Sequence, residues 1–263
     1  MFILKRAMFI GIMSVILVAV ADASAMPSSS ELKNKRITIT MRNKLLYDVF
    51  KRLIDDYDIA IGFEQSNLDD GKDHYVFETN IRYDEGPHFT PDGRPVLFVG
   101  NRPSVNDHFI TIDYRNARLE EVMDDIVAQM KNYSWRVDNE VINIYPLKGR
   151  EPKFARLMGR KIDKFFAPKD MEVGYLEALI VLELPEFKTF ILENNLYVES
   201  WQNATPYLKR PLPEAMTFSD LTFKDLLNRI TKSKRGGWIL KRGTPKIYES
   251  PTGEKKEFIE LEI

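Results

Sequence analysis

The sequence predicts an α+β protein made of short sheets backed by helices, in repeated units. Three observations carry that expectation: apolar residues alternate over short runs, they pass directly into helical spacing, and this switch recurs along the chain. Its clearest instance runs over residues 110–127. Ile110 and Ile112 alternate with Thr111 and Asp113 as on a half-buried strand, and Leu119, Val122, Met123, Ile126 and Val127 then form a helical stripe. Asn116 stands where the period changes and is read as the helix cap, with Glu120 and Glu121 beside the positive end of the helix dipole.

The chain has 263 residues, 44% of them apolar, which is enough for one large domain or two small ones. A net charge of -1 with interspersed signs implies no broad cationic surface, so nucleic acid and anionic membrane are poor first guesses for partners. Lys5 and Arg6, the apolar run 7–21 and Ala23-Ser24-Ala25 form the three parts of a secretory signal peptide over residues 1–25, with cleavage after Ala25. The alternative is an uncleaved anchor, but the run is shorter than the roughly 20 residues a spanning helix needs. There is no cysteine, so neither a lipid anchor nor a disulfide framework is available. A soluble exported protein, periplasmic or secreted, is the expectation, touching the membrane only through its signal peptide.

Taken in order, residues 26–36 are Pro-Ser-rich and then charged, and read as a leader without structure. A first domain is expected over 37–147. Ile37, Thr38, Ile39, Arg42, Asn43, Leu46 and Val49 repeat the residues at 110, 111, 112, 115, 116, 119 and 122. A strand follows each helix, at 58–63 and at 134–137, and the second turns at Asp138-Asn139 into 141–145. Between the two units, residues 64–108 form an insert that reads as a β-hairpin. A linker is expected at 148–160 and a second domain over 161–263. There Asp220, Phe223, Leu226, Leu227 and Ile230 repeat the cap and stripe, followed by a hairpin of 238–240 and 247–248 around Gly243-Thr244. A fourth unit between Ile162 and Val198 is the weakest, because Pro185 ends any helix begun at Val173. Residues 258–263 alternate apolar residues with Glu and read as a final strand.

An apolar strand, a turn residue, a Leu-xx-Val-xx-x-Ile/Leu helix, a strand, and the same again ending in Val141-Ile142-Asn143-Ile144 resembles the secretin and TonB short N-terminal domain. It is also similar to the C-terminal module of FecR-type anti-sigma regulators. The resemblance covers 37–63 and 110–145, with 216–248 as a partial second occurrence. The insert at 64–108 departs from it, as does the lack of a barrel region or a membrane tether after the signal peptide. What the resemblance implies is a periplasmic protein-interaction module.

The insert carries the candidate partner-binding residues Tyr75, Phe77, Tyr83 and Phe89, since aromatics give large contact area for little side-chain entropy. A flap covering its own sheet is the equally weighted alternative. His74, His88 and His108 lie in or beside the insert with Asp69, Asp70 and Asp73, but without metal-ligand spacing, so neither metal nor cofactor is expected. No nucleophile elbow, phosphate-binding glycine pattern or thiol occurs. The pairs Asp55-Asp56, Glu120-Glu121 and Asp124-Asp125 read as solvated helix faces, and Trp135 and Trp238 as core. The expected function is therefore non-enzymatic binding of an envelope protein, through the insert or by strand addition at 37–41 or 258–263. The rivals are an envelope hydrolase with a carboxylate pair in the interdomain cleft and a small-ligand or glycan binder.

Overall fold

The computed structural model describes residues 29–66, 68, 108–171, 173–199, 211–242 and 257–262, and shows a mixed α+β fold. The expected signal peptide, the aromatics Tyr75, Phe77, Tyr83 and Phe89, and the strand at 247–248 lie outside those residues. Helix α1 (Ser29–Asn34) comes first, followed by strand β1 (Arg36–Leu45), helix α2 (Leu46–Tyr57) and strand β2 (Ile61–Glu64). Past the insert come β3 (Phe109–Arg118), α3 (Leu119–Met130), β4 (Tyr133–Asp138) and β5 (Val141–Pro146). The C-terminal half holds α4 (Pro152–Met158), β6 (Lys161–Ala167), α5 (Val173–Glu183), α6 (Pro185–Glu193) and β7 (Leu196–Glu199). It ends with β8 (Met216–Thr222), α7 (Phe223–Lys234), β9 (Gly237–Arg242) and β10 (Glu257–Glu262).

The two halves share one pairing scheme. β1 and β3 pair antiparallel, as do β6 and β8; β2 runs parallel to β5, as β7 does to β10; β4–β5 and β9–β10 are antiparallel. Residues 161–199 therefore do form the fourth strand–helix–strand unit, with its helix broken in two at Leu184, where Pro185 removes an amide and opens a new helix at its first position. The partner of β9 is the C-terminal strand β10.

The strand-to-helix junctions are alike in physical detail. Leu46, Leu119 and Phe223 each open a helix and are buried. Three residues before each stands Asn43, Asn116 or Asp220 at φ 49°, 51° or 53°, and Asp170 at φ 57° precedes α5 in the same way. Asn116 is thus not the helix cap. The cap position of α3 is Arg118, without a side-chain bond, and Asn116 is a left-handed residue inside the strand. Asn and Asp fill this role because short polar side chains tolerate positive φ better than most. In the β1–β3 ribbon these residues coincide with two reciprocal bulges, between Ile37 and Ile39 and between Met41 and Lys44. The Asn116 amide donates to Thr38 Oγ1 at 2.9 Å and the Asn43 amide donates to Thr111 Oγ1 at 2.9 Å. The repeated Thr is therefore the acceptor that each strand offers to the other's bulge.

The helix stripes follow the sequence pattern. Leu46, Val49, Phe50, Leu53 and Ile54 of α2 and Leu119, Val122, Met123 and Ile126 of α3 pack with Ile61, Phe63, Ile142 and Ile144 into an N-terminal core. Each such side chain contributes on the order of 1.5–3 kcal/mol by leaving water. Phe154, Leu176, Ile180, Phe187, Phe218, Phe223, Leu226, Leu227, Ile230, Trp238, Leu240 and Leu261 build a C-terminal core. The turn of the β4–β5 hairpin has φ 52° at Asn139 and 61° at Glu140, the two positive values of a two-residue primed turn.

The halves meet through strands. β2 pairs in parallel with β9, giving one six-stranded sheet in the order β4-β5-β2-β9-β10-β7. Ile239 of β9 joins the N-terminal core, whereas its neighbours Trp238 and Leu240 join the C-terminal core, so the two cores lie on opposite faces of the shared sheet. Gly62 is required at this seam. A Cβ there would stand 2.3 Å from Cε2 of Trp238, whose indole crosses β2.

Three further expectations differ from the fold. Residues 148–160 are not a bare linker: Pro152 opens α4 behind a Glu151 cap, and Phe154, Leu157 and Met158 are buried. Within 26–36, Ser29–Asn34 is helical and β1 already begins at Arg36, because Leu32 packs against the N-terminal core and holds the turn in place. The C-terminal strand is not an edge, since β10 is bonded to β9 on one side and β7 on the other.

Candidate interaction site

The insert leaves and re-enters the fold at one point. At its start the Ser66 amide donates to the Tyr133 hydroxyl at 2.8 Å, and Ser66 Oγ donates to the Lys148 carbonyl at 2.9 Å. Asn132 ties the same place together, accepting from the Lys148 amide at 3.0 Å and donating to the Lys148 carbonyl at 2.9 Å. At its end the His108 ring stands edge-on to Tyr133 with centroids 5.6 Å apart, and the His108 carbonyl accepts from the Leu46 amide at 2.9 Å. Tyr133, buried and the first residue of β4, is therefore the post on which both stems close. Just beneath, Glu64 is buried and holds Arg150 through two bonds of 2.7 and 2.8 Å. The Glu64 carboxylate keeps the Arg150 guanidinium above its usual pKa.

Three of the five large exposed apolar side chains among the described residues adjoin this root, Phe166 and Leu192 being the others. Leu68 is 65% exposed, Phe109 61% and Leu147 62%, and each adjoins an anchoring residue in sequence or by a hydrogen bond. The root lies at one end of β4, which among the described residues is one of the two outer strands of the six-stranded sheet. β4 presents Arg136 to solvent, with Trp135 donating to Asp124 at 2.8 Å and lying under the Lys33 ammonium 5.2 Å from its centroid. Trp238, by contrast, is buried and donates to Asn228 Oδ1 at 2.8 Å.

The seam between the halves is polar on one side of α7. Lys224 pairs with Asp138 at 2.7 Å, Lys232 with Glu140, and Asn139 Nδ2 donates to Asp225 at 3.2 Å, so the β4–β5 turn rests along that helix. Burial raises the Asp138 carboxyl, but Lys224 and Arg136 outweigh it and hold the group below its usual range. Asn228, Thr231 and Lys234 are buried on α7 as well. Glu177 of α5, 1% exposed, supplies charge opposite to Lys234, and burial nevertheless brings the ammonium down to about 7. Asn143 Oδ1 on β5 and Thr231 Oγ1 are buried without a hydrogen-bond partner among the described residues. The sequence hid this polar stripe because helical spacing of Asn, Thr and Lys is also the pattern of a solvated face.

The carboxylate pairs are engaged as helix-face groups. Asp55 bonds Lys51, Asp56 bonds Arg52 at 2.6 Å, Glu120 bonds Lys33 at 3.3 Å, Glu121 bonds Arg118 at 2.7 Å and Asp125 accepts from Tyr114 at 3.1 Å. Among the described residues no group of three or more His, Asp or Glu side chains is placed to hold a metal, and no helix is long and apolar enough to cross a membrane. Comparison with protein-family models, with curated proteins and with solved structures gives no match for this chain.

Proposed function

We infer that this chain is an exported, non-enzymatic interaction module of the bacterial cell envelope, built of two domains like the secretin and TonB short N-terminal domain. It binds a partner protein at the insert root and along the adjoining β4 edge. The observation that carries this reading is the closure of both flanks of the insert on Tyr133 at the start of an outer strand, with the exposed Leu68, Phe109 and Leu147 adjoining the anchoring residues. Flanks that close on one residue give the insert a fixed origin, and an outer strand of the described sheet suits strand addition. Tyr75, Phe77, Tyr83 and Phe89 supply the aromatic contacts.

Co-purification from the envelope tests the reading, with the intact chain, a chain lacking residues 72–100, and a Leu147→Asp chain. Loss of the same partner from both variants is the expected result. Equal recovery from all three would remove the insert root as the contact.

A further inference from the structure

The internal seam is a join between unlike edges, and the repeat reproduces both edges on the outside. β2 and β9 pair at the seam; by position in the repeat, β7 is the counterpart of β2 and β4 is the counterpart of β9. Among the described residues β7 and β4 are the two outer strands of the six-stranded sheet. We propose that copies of this chain associate head to tail, the β7 edge of one pairing in parallel with the β4 edge of the next. This rests on the edge-addition reading above and names the partner as a second copy. An unlike-edge contact of this kind closes into a ring or continues as a filament, according to the rotation per step.

A second observation concerns what lies at the β4 edge within one chain. At the seam, Lys224, the second residue of α7, holds Asp138 of the neighbouring half's turn at 2.7 Å. The second residue of α3 is Glu120, and it holds Lys33 of α1 at 3.3 Å, with the Lys33 ammonium over Trp135 of β4. Helix α1 thus stands at α3 in the place that a docking turn takes at α7, with the signs of charge reversed. It is six residues long and buries none of them fully. A helix this weakly held can be displaced from α3. Self-association and α1 therefore compete for one place.

Sedimentation velocity on the mature chain across a concentration series tests this. The unmodified chain should show mass rising with concentration, and Lys33→Glu, which removes the ion pair and the ring contact, should lower the association midpoint about five- to tenfold. Because the chain has no cysteine, introduced thiols report cleanly. A mixture of an Arg136→Cys chain and a Val198→Cys chain should give a mixed disulfide that neither chain forms alone, since the contact is between unlike edges. Circular dichroism melts confirm that each variant is folded. A chain that stays monomeric throughout, Lys33→Glu included, overturns the proposal, as does a disulfide formed within one single-cysteine variant. Retention of the envelope partner by that monomer would overturn the self-association alone and leave the edge reading standing.

Discussion

Lys234 makes stability depend on pH in a direction opposite to that of an ordinary ion pair. Lys234 is 3% exposed, and burial brings its pKa from 10.5 to about 7 against the pull of Glu177. Between those values the unfolded chain carries a proton at this lysine that the folded chain has released, so stability rises with pH through the window. Below 7 both states are protonated and the contribution is flat; above 10.5 both are neutral. The slope is roughly 1.4 kcal/mol per pH unit, and across the window it accumulates to about 5 kcal/mol, a large share of the 5–15 kcal/mol that holds a domain together. Lys234→Met removes that slope. The comparison is made between Glu177→Gln and Glu177→Gln with Lys234→Met, so that no buried carboxylate is left to titrate in place of the lysine. Without Glu177 the window also opens below 7. Tyr114, raised by burial and by Asp125, contributes stability below 10.0 that is lost as pH rises beyond it, which separates its effect from that of the lysine. Urea unfolding at pH 6, 7, 8 and 9 reads the slopes. Equal slopes with and without the lysine would refute the reasoning.

Two further substitutions test the fold's joints. Gly62→Ala should cost about 1–3 kcal/mol, because the new methyl collides with the Trp238 indole; a lowered denaturation midpoint with a shifted tryptophan emission is the expected signature, and an unchanged spectrum would show that the ring does not cross β2. Thr38→Val and Thr111→Val each take away the hydroxyl that accepts from a left-handed Asn amide, at a cost of about 1 kcal/mol. The two losses should be equal in chemical denaturation, and a several-fold difference between them would break the equivalence of the bulges.

The repeat was legible in sequence because burial selects apolar identity at fixed intervals, and Leu46, Leu119 and Phe223 occupy matching inward positions. Asn116 was misread for a local reason. A short side-chain carbonyl serves equally well at a helix cap and in a left-handed strand residue, and only the partner strand's Thr distinguishes the two. Helix α4 had signals of its own, Pro152 after Glu151 and the stripe Phe154, Leu157, Met158, which the surrounding charge obscured. The root of the insert could not be read from one dimension. Ser66, Asn132 and Lys148 meet only after folding, and nothing in their spacing announces it.

The dual allegiance of β9 constrains how the chain is made. Ile239 completes a core whose other members all precede residue 145, so the N-terminal portion leaves the ribosome with an unfilled place in its hydrophobic interior. Nearly a hundred further residues are translated before that place is taken. Until then β2 lacks the parallel partner that β9 gives it in the finished fold.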